Sequence, residues 1–377
     1  MKKLVFAALA IAAMAACTKS NVQYEQPGEI SLQPVTQKAT KSAITSTTYP
    51  TSAQFNVWAW WGEGNPGSND VTSFTTKYID EGTFGFRTGS VNSWGGVTPY
   101  YWPTTGSLFF AGYSPAAAKN KAYDFDYDLQ TKTLTIKEYK QSNETSSTYD
   151  LLWFDATDKS YDNNTNKNNR GDDVDGVPVV FKHALSWLTF KFNLADENTA
   201  KNWKVTKVEL KGIETQADCN IEKGNAPVWS NHMIPNNDQL NDDQKEVAKT
   251  IVIYTNTDGE EISYVDKATW TNQNTTVDDF GGAILENNKN GVIVIPQLCA
   301  SKNDAKLVVT YKLKNPARNP EYIDQNVELE LTPGTNGTEW IPGKHYIYTI
   351  VFGANEILIV PEVDEWIEEV VEIEVIK

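Results

Sequence analysis

The chain has 377 residues, 33 of them basic and 49 acidic, for a formal net charge of −16. That balance excludes the clustered basic surface on which nucleic-acid binding depends, and it suits solubility outside a cell. With 12 Trp, 17 Tyr, only 3 Met, and many Thr, Asn and Gly residues, the composition is that of an exported β protein.

The amino terminus opens with Lys2 and Lys3, an apolar run from Leu4 to Ala16, and Cys17. The run is shorter than the roughly 20 apolar residues of a membrane-spanning helix. A charged start, a short apolar stretch and small residues before the cut form a secretory signal. "MAAC" resembles a bacterial lipobox, which makes residues 1–17 a signal peptide and Cys17 the lipidated residue. No later stretch is apolar enough to cross a membrane as a helix. The remaining cysteines, Cys219 and Cys299, can form one disulfide only if the fold brings them together. Neither CxxC nor Cys/His spacing for a metal is present, so stability rests on burial.

Residues 18–54 are rich in Thr, Ser, Gln and Lys. Within them "GEISLQPV" is a strand candidate, with Ile30, Leu32 and Pro34 on one face by the period of two. A polar, aperiodic linker follows and exposes Lys38 and Lys41, the kind of backbone a protease reaches. From Phe55 on, "FNVWAWW", "GSLFFAGYSP", "YDFDYDL", "KTLTIKEY" and "DLLWFDAT" are short, aromatic and β-branched. A hairpin is expected about Gln130 to Lys132. The low-complexity interval from Ser160 to Gly176 reads as a junction or exposed loop.

Beyond it lie "VPVVFKHALSWLTFKFNL", "WKVTKVELKGI", "KTIVIYT", "GVIVIPQ", "AKLVVTYKL", "NVELELT" and a strand-rich end. Only "NDDQKEVAKT" suits a turn or two of helix. Many short strands without helical periods predict an all-β protein of two tandem β-sandwich domains that meet near residue 176.

No catalytic constellation assembles from these residues. His183 and His345 sit inside expected strands, and His232 has no partner carboxylate that spacing can place. HExxH, GxSxG and a phosphate-cradling glycine loop are missing. Asp162, Asn164 and Asn166 have calcium-loop spacing, but Lys167 stands where that loop needs glycine, so a solvated loop is the better reading. Arg170, Gly171 and Asp172 spell an integrin-type triplet of the kind that also arises by chance. Trp58 and Trp60 alternate as core residues, whereas Trp61 points the other way and is the candidate for stacking on a sugar. No enzyme activity, metal or cofactor is expected.

Two longer stretches bring in a family. "VVFKHALSWLTFKF" (Val179 to Phe192) and "WIPGKHYIYTIVFGANEILIVPEVDEW" (Trp340 to Trp366) resemble the strand and closing patterns of fimbrillins of the Bacteroidales, the subunits of type V pili. "YYWPTTGSLFFAGYSP" and "DLLWFDAT" resemble strands of that family's amino-terminal domain. The resemblance implies transthyretin-like β-sandwiches over 42–176 and 177–377. It also implies an outer-membrane lipoprotein precursor, held by lipid at Cys17 and then trimmed by a protease after a basic residue. The leader, 18–41, carries Ile30 and Leu32, and the cut falls after Lys38 or, preferably, Lys41. Many family cut sites use Arg; here none lies between Cys17 and Arg87, so either a lysine-accepting protease is required or the chain stays uncut.

Removal of the leader leaves a groove that a strand from another subunit fills. Its candidate is the tail 368–377, with Val371, Ile373 and Val375 on one face and Glu372 and Glu374 on the other. The same alternation suits an edge strand of its own domain, and the residues leave both readings open. The implied partners are pilin subunits of the same or a minor kind, the trimming protease, and a host or bacterial surface receptor. A tip or accessory pilin, or a surface lipoprotein that binds glycan without polymerising, are the alternatives.

Overall fold

The computed structural model describes residues 28–36, 49–63, 72–88, 93–120, 123–141, 150–160, 176–194, 203–233, 250–261, 291–299, 305–314, 317, 321–333, 337–353 and 357–365. The chain starts with β1 (Ser31–Thr36), β2 (Gln54–Gly62), β3 (Phe74–Arg87), β4 (Ser93–Gly96) and β5 (Ser107–Ser114). Next come β6 (Asp124–Asp128), β7 (Thr133–Lys140), β8 (Leu152–Ser160) and β9 (Val177–His183). The strands β10 (Ser186–Leu194), β11 (Trp203–Lys211), β12 (Gln216–Glu222), β13 (Val228–Met233) and β14 (Ile251–Glu261) follow. The last are β15 (Val292–Val294), β16 (Lys306–Lys314), β17 (Tyr322–Glu330), β18 (Lys344–Phe352) and β19 (Ile357–Glu365). Among the described residues the one helical element is a 3-10 turn at Ala116–Asn120. The fold is all-β, as the residue pattern indicates.

Three cores organise these strands. The first lies inside a closed barrel of order β1-β4-β3-β2-β5-β8-β9. Phe55, Val57 and Ala59 of β2 and Leu108 and Phe110 of β5 point into it. The alternate residues Trp58, Trp60, Phe109, Ala111 and Tyr113 point outward, yet they too are buried. They pack beneath a four-stranded sheet, β13-β12-β7-β6, through Leu134, Ile136, Ala217 and Ile221. Burial on both faces explains why "FNVWAWW" and "SLFFAGY" are almost continuously apolar. The hairpin expected about Gln130 to Lys132 joins β6 and β7, with Asp128 opposite Thr133. Its last loop residue, Lys132, takes a left-handed φ of 53°.

The third core lies between the sheets β15-β10-β18-β19 and β14-β11-β16-β17. Its centre is the parallel pair β10 and β18, which faces Val205, Val208 and Leu210 of β11. Trp340 is buried there and donates its indole N–H to the Tyr348 hydroxyl at 2.7 Å. Residues on both sides of 176 share the barrel and its covering sheet: β9 stays in the barrel, and β12 pairs with β7. Cys219 belongs to the second core and Cys299 to the third, and both are buried free thiols.

Where the covering sheet ends, Glu214 is buried and its carboxylate contacts Nδ1 of half-exposed His232. Burial by itself lowers the imidazole pKa, but the hydrogen bond and charge of Glu214, with a backbone hydrogen bond at Trp229, together outweigh it and raise the value. A raised folded pKa makes this stabilisation complete below the unfolded value of about 6.5. It is lost as pH rises through the folded value. Partial solvation limits the effect to about 1 kcal/mol. In thermal melts, His232→Gln is expected to lower Tm by about 2–4 °C at pH 5.5 and by clearly less at pH 9. An equal drop at both pH values would deny the ion pair its role.

Candidate functional site

The strand foreseen at "GEISLQPV" occupies a defined seat. It forms β1 and closes the barrel between β4 and β9. On one side Ser31 and Leu32 pair antiparallel with Gly95 and Trp94. On the other, Leu32 to Thr36 pair in parallel with Val177 to Phe181. Ahead of the strand, Ile30 N–H donates to Tyr100 O at 2.8 Å and Trp102 N–H to Gly28 O at 3.0 Å. Ile30 and Leu32 are fully buried, and Pro34 is buried on the same face. The period of two therefore identified the inward side correctly. Pro34 has no N–H to give to the ladder, yet the pairing with β9 runs without a break from Leu32 to Thr36.

The seat is lined by aromatic rings. Tyr49 stacks on Phe181 at 5.1 Å between centroids and meets Trp94 and Phe55 edge-on at 5.0 and 5.5 Å. Phe55 stacks on Phe84 at 5.8 Å. Such rings add directional contacts to the burial of about 1.5–3 kcal/mol that each fully enclosed aliphatic side chain gains. The Tyr49 hydroxyl lies 2.6 Å from Ser114 Oγ, and burial pushes its pKa far above the ordinary value. Tyr49 was not anticipated. Its only signal is a lone aromatic before Pro50 at the end of a polar segment.

On the outer side of β1, Arg87 at the end of β3 forms an ion pair with Glu29. That pair was also unforeseen, because its partners are 58 positions apart.

The other sequence candidates are dispersed. Cys17, Lys38, Lys41, Val371, Ile373 and Val375 lie outside the described residues, as do 162–175 with Arg170, Gly171 and Asp172. Trp58 and Trp60 are buried beneath the covering sheet. Trp61 is half-buried, and its indole N–H donates to Thr105 O at 2.7 Å. Gly106 makes room for that ring, since a Cβ there would come within 2.6 Å of Trp61 Nε1.

The three histidines have structural settings. His183 Nδ1 is 3.0 Å from buried Asp150, and His345 stacks on Trp187 at 3.6 Å while its Nε2 meets Thr189. Among the described residues, no group of His, Cys, Asp or Glu is arranged to hold a metal, and no helix is long and apolar enough to cross a membrane.

A family model described as fimbrillin-like matches residues 38–366. Among solved structures, a fimbrial protein from Bacteroides vulgatus is similar at TM-score 0.50 and 13% identity. The similarity covers 90% of this chain and 99% of that one. A fimbrial assembly protein from Parabacteroides distasonis is similar at TM-score 0.37 and 11% identity, over 90% of this chain and 98% of that one. No curated protein matches the chain.

Proposed function

Because the chain belongs to the fimbrillin-like family, we propose that it is a structural, non-enzymatic subunit of a bacterial surface fimbria that contributes to adhesion. It assembles by exchange of β1 for a strand of another subunit. The observation that carries this reading is the place of β1 in the barrel. It completes the closed sheet and fills the core with Ile30, Leu32 and Pro34. It is tied to the rest of the chain only through residues 37–48, which contain Lys38 and Lys41.

On the far side of that segment, Tyr49 anchors the chain on its own account. A cut between the two anchors leaves β1 held without a covalent bond. Its departure uncovers the edges of β4 and β9 and a slot lined by Trp94, Phe84, Phe55 and Phe181. Unpaired backbone and apolar surface together create a demand that only another strand meets. Two domains, 42–176 and 177–377, remain the proposed division of the mature subunit, with β9, β12 and β13 of the second completing the barrel and covering sheet of the first. Delivery runs through a lipoprotein precursor at the outer membrane, anchored by lipid on Cys17, and ends in an extracellular fibre.

Intact mass of the surface protein tests the route. Cells lacking the trimming protease are expected to hold a form whose mass includes lipid at Cys17, and Cys17→Ala abolishes that addition. Assembled fibres are expected to hold chains that begin after Lys38 or Lys41 and carry no lipid. Fibres built from chains that still begin at Cys17 would refute the exchange.

A further inference from the structure

We propose that Arg87 selects the strand admitted to the barrel by requiring a negative charge on its outward face. The inference rests on the strand-exchange reading above. The inward side of the seat asks only for apolar residues at every second position, which many strands supply. The outward side is more particular. Arg87 projects from β3 across β4 and pairs with Glu29, two residues before β1 begins.

Its path depends on Gly95, the register partner of Ser31. A Cβ at Gly95 would stand 3.1 Å from the guanidinium carbon, closer than ordinary van der Waals contact. The missing side chain leaves room for the guanidinium over β4. It stands beside the outward positions of Glu29 and Ser31 on the neighbouring strand. The side chains of Arg87 and Glu29 are each 35% exposed, so the pair is partly shielded from water.

Glu29 departs with the leader, whereas Arg87 remains. The occupant that satisfies it is the tail of a second copy of this chain. If Val371, Ile373 and Val375 turn inward, the period of two turns Glu372 and Glu374 outward, whichever way the strand runs. A slip by one residue would bury those carboxylates and leave Arg87 facing an aliphatic side chain. A planar guanidinium over the strand thus reads charge and register together.

The test uses the precursor nicked in its 37–48 linker, with the leader still seated, and follows displacement of the leader by synthetic peptides. The first peptide spans 370–377, and the second is the same peptide with Glu372→Lys and Glu374→Lys. The native peptide is expected to displace the leader about tenfold more effectively at low salt, and the advantage shrinks as salt rises. Arg87→Gln is expected to accept both peptides alike, and Arg87→Lys to retain a preference for the native one. Equal displacement by both peptides in the wild-type protein overturns the selector role while strand exchange stands. Displacement by neither peptide removes the tail as the occupant of the seat and overturns the selector role with it.

Discussion

Leu32→Asp is expected to lower the Tm of the uncut precursor by about 10 °C or more, the largest stability loss foreseen for a single change in this protein. Leu32 is fully enclosed, with Trp94 on one neighbouring strand and Val177 on the other. The substitution forfeits about 1.5–3 kcal/mol of burial and adds a carboxylate with no partner inside a closed barrel. Together these exceed about 4 kcal/mol, a large share of the 5–15 kcal/mol by which folded proteins are stable. Gln33→Asp, one position along on the outward face, is the control and is expected to change stability by no more than about 0.5 kcal/mol. Equal melting of the two variants would show that β1 is not a working part of the precursor core.

A milder change separates the precursor from the assembled state. Leu32→Ala costs about 2–5 kcal/mol in the precursor, which leaves a folded protein with a loosely held leader. On the proposed exchange Leu32 leaves with the leader, so fibre stability is expected to be unchanged by the substitution. The physical division is between residues that hold the precursor and residues that hold the joint. On that proposal Ile30 and Leu32 belong to the first group, and Tyr49, Trp94 and Phe181 to both.

The inward face of β1 was readable from the sequence because Ile30, Leu32 and Pro34 obey a period of two inside a polar surround. What surrounds that face was not readable, since its walls come from β4, β9 and Tyr49, which are distant along the chain. β3 escaped notice for a local reason. Its first half is mostly exposed, and Glu81 breaks the alternation with a left-handed φ of 51°. β12 was hidden differently. It pairs with β7 across a long sequence separation, and periodicity records which face is buried but never which strand lies alongside. Fold class and inward faces are local properties of side-chain order. Strand neighbours and the Arg87–Glu29 pair are properties of topology.

The final expectation concerns the carboxyl tail. Ile373→Asp is expected to leave the subunit folded and exported but to cut fibre number more than about tenfold, counted by electron microscopy. The motive is the alternation of Val371, Ile373 and Val375 with Glu372 and Glu374, which matches the apolar slot left by Ile30, Leu32 and Pro34. Three inward side chains, each worth about 1.5–3 kcal/mol when enclosed, make a firm joint, and the central one cannot be lost cheaply. An aspartate there must enter the aromatic seat without a partner, which adds a desolvation cost to the lost burial. The competing view makes 370–376 an edge strand of its own domain. On that view the same substitution wounds the monomer, because the apolar face is already buried before assembly. Melting of the purified, unassembled chain separates the two: the strand-donor view expects a Tm within about 1–2 °C of wild type, as for an exposed position. A drop of about 8 °C or more with degradation in cells would assign the tail to its own domain. The slot vacated by β1 would then have to be filled from elsewhere in the fibre.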